Sequence, residues 1–122
     1  MSPSARNTTA WISQILLGLA FIGFGGYGLL HATENLKNFS GTGLPGWFAY
    51  LIGVAELLGG IGLLLPTTVR VAALGLVVIM MGAVVLHATT IPGGLVNGIP
   101  AIVFLLLLLA LLWLRRPAPQ VA

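Results

Sequence analysis

The stretch that decides the fold is Trp47-Phe48-Ala49-Tyr50-Leu51-Ile52-Gly53-Val54-Ala55-Glu56-Leu57-Leu58-Gly59-Gly60-Ile61-Gly62-Leu63-Leu64-Leu65. As an α-helix rising 1.5 Å per residue it is roughly 28 Å long, which matches the ~30 Å hydrocarbon core of a bilayer. Three further apolar runs surround it, about Trp11 to Leu30 before it, then Val69 to Ala88 and about Val96 to Leu114. Turn chemistry separates the runs where helices should stop: Leu44-Pro45-Gly46, Pro66-Thr67-Thr68 and Ile91-Pro92-Gly93-Gly94. Asn97 is placed to cap the last run, with Pro100 tolerated in its first turn. The expected architecture is all-α: a single domain over residues 1–122, an integral membrane four-helix bundle with helices over 11–30, 47–65, 69–88 and 96–114.

Composition agrees. Of 122 residues 58% are apolar and 6% charged, and a soluble domain of this size lacks the polar surface to cover such a core. The surplus apolar surface must face lipid. The net charge of +3 comes from Arg6, Lys37, Arg70, Arg115 and Arg116, which lie scattered between apolar runs without interleaved aromatics, so nucleic acid is excluded as a partner. With no cysteine, the chain carries no dithiol, thiolate nucleophile, cysteine-ligated iron–sulfur cluster or thioether-linked haem of its own. The first run follows Arg6 as a signal peptide's would, but it continues for about 20 residues with no Ala-x-Ala-like site after it, and reads as a retained helix.

Orientation follows from the cations, because short loops rich in Lys and Arg stay in the cytoplasm. Arg6, Arg70, Arg115 and Arg116 fall on one side and Lys37 alone on the other, which places both termini and the turn between helices two and three in the cytoplasm. The loops from His31 to Gly46 and from Thr89 to Val96 then face outward. Trp11 and Trp113 mark the inner interface, Trp47 and Tyr50 the outer one. The expected setting is multi-pass, in a bacterial-type cytoplasmic membrane, with Arg70, Arg115 and Arg116 as anchors at the anionic inner leaflet.

Glycine, at 17 residues, sets the expected packing, since in lipid helices associate where small residues let backbones approach. Gly18, Gly25 and Gly28 share a face of the first helix, Gly53, Glu56 and Gly60 one of the second, and Gly75 and Gly82 lie a heptad apart on the third. The glycine-free Phe104–Leu112 run marks the fourth helix as peripheral and lipid-exposed. None of the glycines forms a phosphate loop, for there is no G-x-x-x-x-G-K pattern.

Glu56 is the most informative residue. It lies roughly 13 Å below the outer edge of the apolar core, where an ionisable group is costly and is expected to turn into the bundle. A neutral carboxylic acid both donates and accepts hydrogen bonds, so it suits a ligand or proton site, or a helix-to-helix lock. Side chains lean toward the N-terminus of their own helix. Glu56 therefore leans outward, while Tyr27 and His87, near the outer ends of antiparallel helices, lean down toward it. The expected site is an outward-opening pocket with Glu56 at its floor and Tyr27 and His87 on its walls. His31 and Glu34 stand at its outer rim, and with His87 they offer nitrogen and oxygen ligands to a divalent metal, although histidines at a membrane interface are more often solvated or hydrogen-bonded, so no metal is assigned. Residues Ala32 to Phe39 suit either a short interfacial helix over the mouth or a simple ordered loop.

From the second helix onward, the chain resembles the DoxX and DoxX-like family of small four-helix membrane proteins. Leu51-Ile52-Gly53-Val54-Ala55-Glu56-Leu57-Leu58-Gly59-Gly60-Ile61-Gly62-Leu63-Leu64-Leu65-Pro66 is similar to the family's Ile-Gly-x-x-Glu-Leu-x-Gly hallmark, and Gly82-Ala83-Val84-Val85-Leu86-His87 to its third helix. Where relatives often end the first helix in Gly-x-x-Lys-Leu, this chain has Gly26-Tyr27-Gly28-Leu29-Leu30. The resemblance implies a membrane subunit that docks a redox protein partner and holds a quinone-like lipophilic ligand near Glu56, with no covalently bound cofactor. Three other readings stay open: a structural or assembly factor whose glutamate locks helices together, a transporter or proton-coupled channel built as a homo-oligomer, and a stand-alone enzyme such as an isomerase using Glu56 and His87 as acid and base.

Overall fold

A computed structural model of the chain describes residues 1–34, 43–91 and 93–117, which are all-helical with no strand among them. Helix α1 spans Pro3–Leu30, α2 Trp47–Leu63, α3 Val69–Thr89, α4 Gly94–Asn97 and α5 Ile99–Leu114. Of these, α1 and α3 are long and apolar enough to cross a membrane, while α2 and α5 are shorter apolar helices.

Each boundary that departs from expectation has a local cause. Helix α1 begins well before Trp11 because Ser2 caps it, its hydroxyl accepting from the Ala5 N–H at 3.1 Å, and Pro3 opens the first turn, where its missing N–H is not needed. Helix α2 stops at Leu63 rather than Leu65. Two of its terminal carbonyls, beyond the reach of an N–H four residues on, take side-chain donors: Thr68 Oγ1 donates to Gly62 O at 2.8 Å and Gln14 Nε2 to Leu63 O at 2.9 Å. The last apolar run is broken into α4 and α5, with Gly98 rather than Asn97 at the cap position. Pro100 enforces the break, since its ring conflicts with the carbonyl four residues back. Gly93 and Gly94 turn the chain into α4 at φ 94° and 64°, conformations that glycine adopts without strain.

The helices pack α1 on α2, α2 on α3, α3 on α5 and α5 back on α1. The α1–α2 contact is the closest. Gly18 meets Gly60 and Gly25 meets Gly53 across antiparallel helices, each pair one heptad from the next, and a Cβ on Gly25 would stand 2.5 Å from Leu57 N and 2.6 Å from Gly53 O. Only glycine fits there, and Gly18, Gly25, Gly53 and Gly60 thus lie at an interface as expected. Expectation fails for α3. A Cβ on Gly75 or Gly82 would meet nothing, and the helix instead packs with Val69, Ala73, Leu76, Val77 and Met80, laying Leu76 against Gly59 and Ala72 against Gly62. Helix α5 is also more embedded than its lack of glycine suggests. Leu108 and Leu111 are fully buried, and Phe104 sits edge-on to Phe21 and Phe24 at 5.5 and 5.2 Å between ring centres. Interdigitating side chains do there what close backbones do between α1 and α2.

Candidate functional site

Ala49, Glu56 and Leu63 recur at heptad spacing on α2 and so share the line that faces the middle of the helical ring. Ala49 is 5% exposed and Leu63 0%, but Glu56 between them is only half-buried. The difference arises because two cavities border its side chain. The larger, of about 550 Å³, lies between α2 and α3, with Phe48, Ile52 and Glu56 on one wall and Val78, Gly82 and Leu86 on the other. The smaller, of about 310 Å³, lies between α1 and α2 and is lined by Phe24, Tyr27, Ala49, Gly53 and again Ile52 and Glu56. Glu56 is the acidic group in both linings, and no hydrogen bond or ion pair holds its carboxyl among the described residues.

The helices make this hollow by packing unevenly. Toward the end where α2 stops, Leu63, Leu76, Phe21, Leu108 and Leu111 form a closed core. Toward the other end α2 turns small residues, Ala49 and Gly53, toward α1, and α3 presents Gly82 and Ala83 to α2. Space is left where larger side chains would fill it, and the single carboxylate of the apolar runs stands at its edge.

The five expected site residues are placed differently from one another. Tyr27 lines the smaller cavity together with Glu56, and the residue is 61% exposed. His31 stacks on the Tyr27 ring, centres 3.9 Å apart, and its Nδ1 donates to Tyr27 O at 3.0 Å, so Tyr27 is held from above by the first turn beyond α1. His87 lines neither cavity. Its Nδ1 donates to Ala83 O on its own helix at 2.8 Å, and its Cβ lies against Gly98, on the side of α3 that faces α4. Rotation about α3 therefore separates His87 from Leu86, its cavity-lining neighbour. Glu34 is exposed, and its backbone N–H donates to His31 O at 3.1 Å. Among the described residues no three His, Asp or Glu side chains gather as a metal site. Of the expected interfacial segment, residues 32–34 are helical, and the rest lies outside the described residues, as does Lys37.

Sequence reasoning missed a second polar centre. Gln14 is 0% exposed at the opposite end of the molecule. Besides donating to Leu63 O it accepts from Arg115 Nε at 2.6 Å, and Arg115 reaches Asn7 Oδ1 at 2.9 Å while its guanidinium stands 5.5 Å from the Trp11 ring centre. Arg115 thus ties the end of α5 to α1, and Gln14 carries the link on to α2. Arg116 turns back on its own helix, 4.3 Å from the Trp113 ring centre. A glutamine inside an apolar run was the available signal, but its partners lie 49 and 101 residues away in sequence.

In comparison with known proteins, a family model described as the DoxX-like family matches residues 12–114. No curated protein and no solved structure matches the chain.

Proposed function

The chain belongs to the DoxX-like family, and on that premise we propose that it is a four-span membrane protein, both termini cytoplasmic, that binds a quinone-like lipophilic ligand beside Glu56. The observation that carries the reading is the Glu56 carboxyl itself, half-buried between two cavities and without a protein partner among the described residues. A carboxyl in such a place seeks a partner, and a ligand carbonyl or hydroxyl supplies one. The carboxyl then accepts from or donates to the ligand oxygen, and it is positioned to pass a proton to it. With no cysteine the chain has no dithiol to reduce a redox-active ligand, and in this reading the electrons come from a docked protein partner. Helices α2 and α5 complete the four spans with Leu64, Leu65 and the apolar residues of α4, a thin crossing that lipids accommodate by local thinning.

The bonding pattern speaks against the rival role, a glutamate that locks helices together. Gln14 makes hydrogen bonds to two other helices, and Glu56 makes none among the described residues. The test is to purify the full chain and its Glu56→Ala and Glu56→Leu variants in mild detergent and to identify extracted quinones and lipids by mass spectrometry. Both variants should keep wild-type helicity and size while losing the bound molecule. Equal ligand content in wild type and Glu56→Ala refutes the binding role, and failure of Glu56→Leu alone to assemble restores the helix lock.

A further inference from the structure

The two cavities differ in a way that says how a ligand would lie. They share Ile52 and Glu56, so one molecule can occupy both by passing the carboxyl. The smaller has Tyr27 in its lining, whereas apart from Glu56 every lining side chain of the larger is aliphatic, phenyl or the thioether of Met81. The larger also runs along α3 from Val78 to Leu86, about 12 Å of helix axis, and three of the residues that line it, Val78, Met81 and Val85, are exposed on the outer surface of the protein. It is a long apolar slot open sideways. Gly82 lies in that slot, and a Cβ there would meet nothing, so its lack of a side chain serves no contact between helices among the described residues and instead leaves the slot wide.

Resting on the ligand-binding reading above, we propose that the ligand is a chain-bearing amphiphile that enters sideways from the bilayer between α2 and α3, its hydrocarbon chain lying in the slot past Gly82 and its polar ring or headgroup beside Glu56 and Tyr27. Lipid is as apolar as the slot, so the chain gains little energy by moving into it. What the slot provides is direction: it admits a tail from the side and brings the polar end to the one carboxyl. The assignment extends to any amphiphile of this build, an isoprenoid or alkyl quinone or a lipid of the bilayer itself.

Binding is measured with the full chain in phosphatidylcholine nanodiscs, using decylubiquinone, the same dimethoxy-methyl benzoquinone ring without its chain, and a fatty alcohol of matching chain length. Gly82→Phe fills the slot, and should weaken decylubiquinone by about tenfold, about 1.4 kcal/mol, while leaving the chainless ring unchanged. Glu56→Ala should weaken both. If Gly82→Phe does not retain wild-type helicity and size, Val78→Trp at the exposed lip carries the same expectation. Decylubiquinone binding that survives a folded slot-filling variant overturns the sideways entry, even where the loss in Glu56→Ala upholds the site. A fatty alcohol that competes as well as decylubiquinone, and is itself lost in Gly82→Phe, upholds the slot and assigns it to a membrane lipid. Unchanged binding of every probe in Glu56→Ala sinks the underlying reading instead.

Discussion

Replacing Gln14 with leucine, which nearly conserves volume, should loosen the end of the molecule where α1, α2 and α5 meet. The substitution removes the bond from Nε2 to Leu63 O and the one from Arg115 Nε to Oε1. A neutral hydrogen bond contributes about 0.5–1.5 kcal/mol and one to a charged group about 1.5–3 kcal/mol in water-soluble proteins. Between helices in lipid the average is nearer 0.6 and the ceiling about 1.7 kcal/mol, since the separated helices also find partners. Arg115 keeps Asn7 and is itself only half-buried, which trims its share further. A net loss of about 1–3 kcal/mol is therefore expected for Gln14→Leu. It is read from the SDS fraction at which helicity is lost in mixed micelles, in a double-mutant cycle with Arg115→Ala. The cycle should return a coupling of about 1 kcal/mol, above the roughly 0.3–0.5 kcal/mol within which independent sites add. A Gln14→Leu midpoint at or above wild type, or additivity in the cycle, would show that this buried network does not hold the helices together.

Two further outcomes follow from the same geometry. Gly25→Ala puts a Cβ against the α2 backbone and should destabilise by about 1–3 kcal/mol, whereas Gly23→Ala, where a Cβ meets nothing, should be neutral or stabilise by up to about 1 kcal/mol through helix propensity; equal effects in the same SDS titration would refute the glycine contact. The absence of cysteine makes topology easy to read: in intact cells a membrane-impermeant maleimide should label Thr90→Cys and leave Ser2→Cys unlabelled until the membrane is opened, and the reverse pattern would overturn the orientation.

Most of the helical layout was legible because it rests on local signals. Hydropathy and the Pro- and Gly-rich turns located α2, α3 and the ends of α1 and α5 to within a few residues, and spaced glycines marked faces of α1 and α2 that turn out to meet each other. The start of α1 was not, since polar Ser4 to Thr9 carry no hydropathy signal and only the Ser2–Pro3 cap reveals the helix. Glu56 stood out because one carboxylate in an apolar run is rare. What surrounds it was half legible. Tyr27 shares its cavity, but His87 does not, for the rotational phase of α3 is set by how Leu76 and Ala73 seat in the core and no count of residues gives it. Gly75 and Gly82 misled for the same reason, their spacing being right for an interface and their face wrong. Gln14 escaped because its meaning depends on a carbonyl at the end of α2 and a guanidinium at the end of α5.

The matched glycines of α1 and α2 bear on motion as well as on stability. Helices touching backbone to backbone at two levels a heptad apart behave like a closed zip fastener: a slip by one residue drives Cβ atoms into carbonyls, and a wholesale slide needs a full two turns. That half of the molecule is stiff. Any breathing is therefore concentrated at the opposite seam, where α3 grips α2 through Leu76 and Ala72 near one end and stands apart from it at the other, like a book hinged along its lower edge.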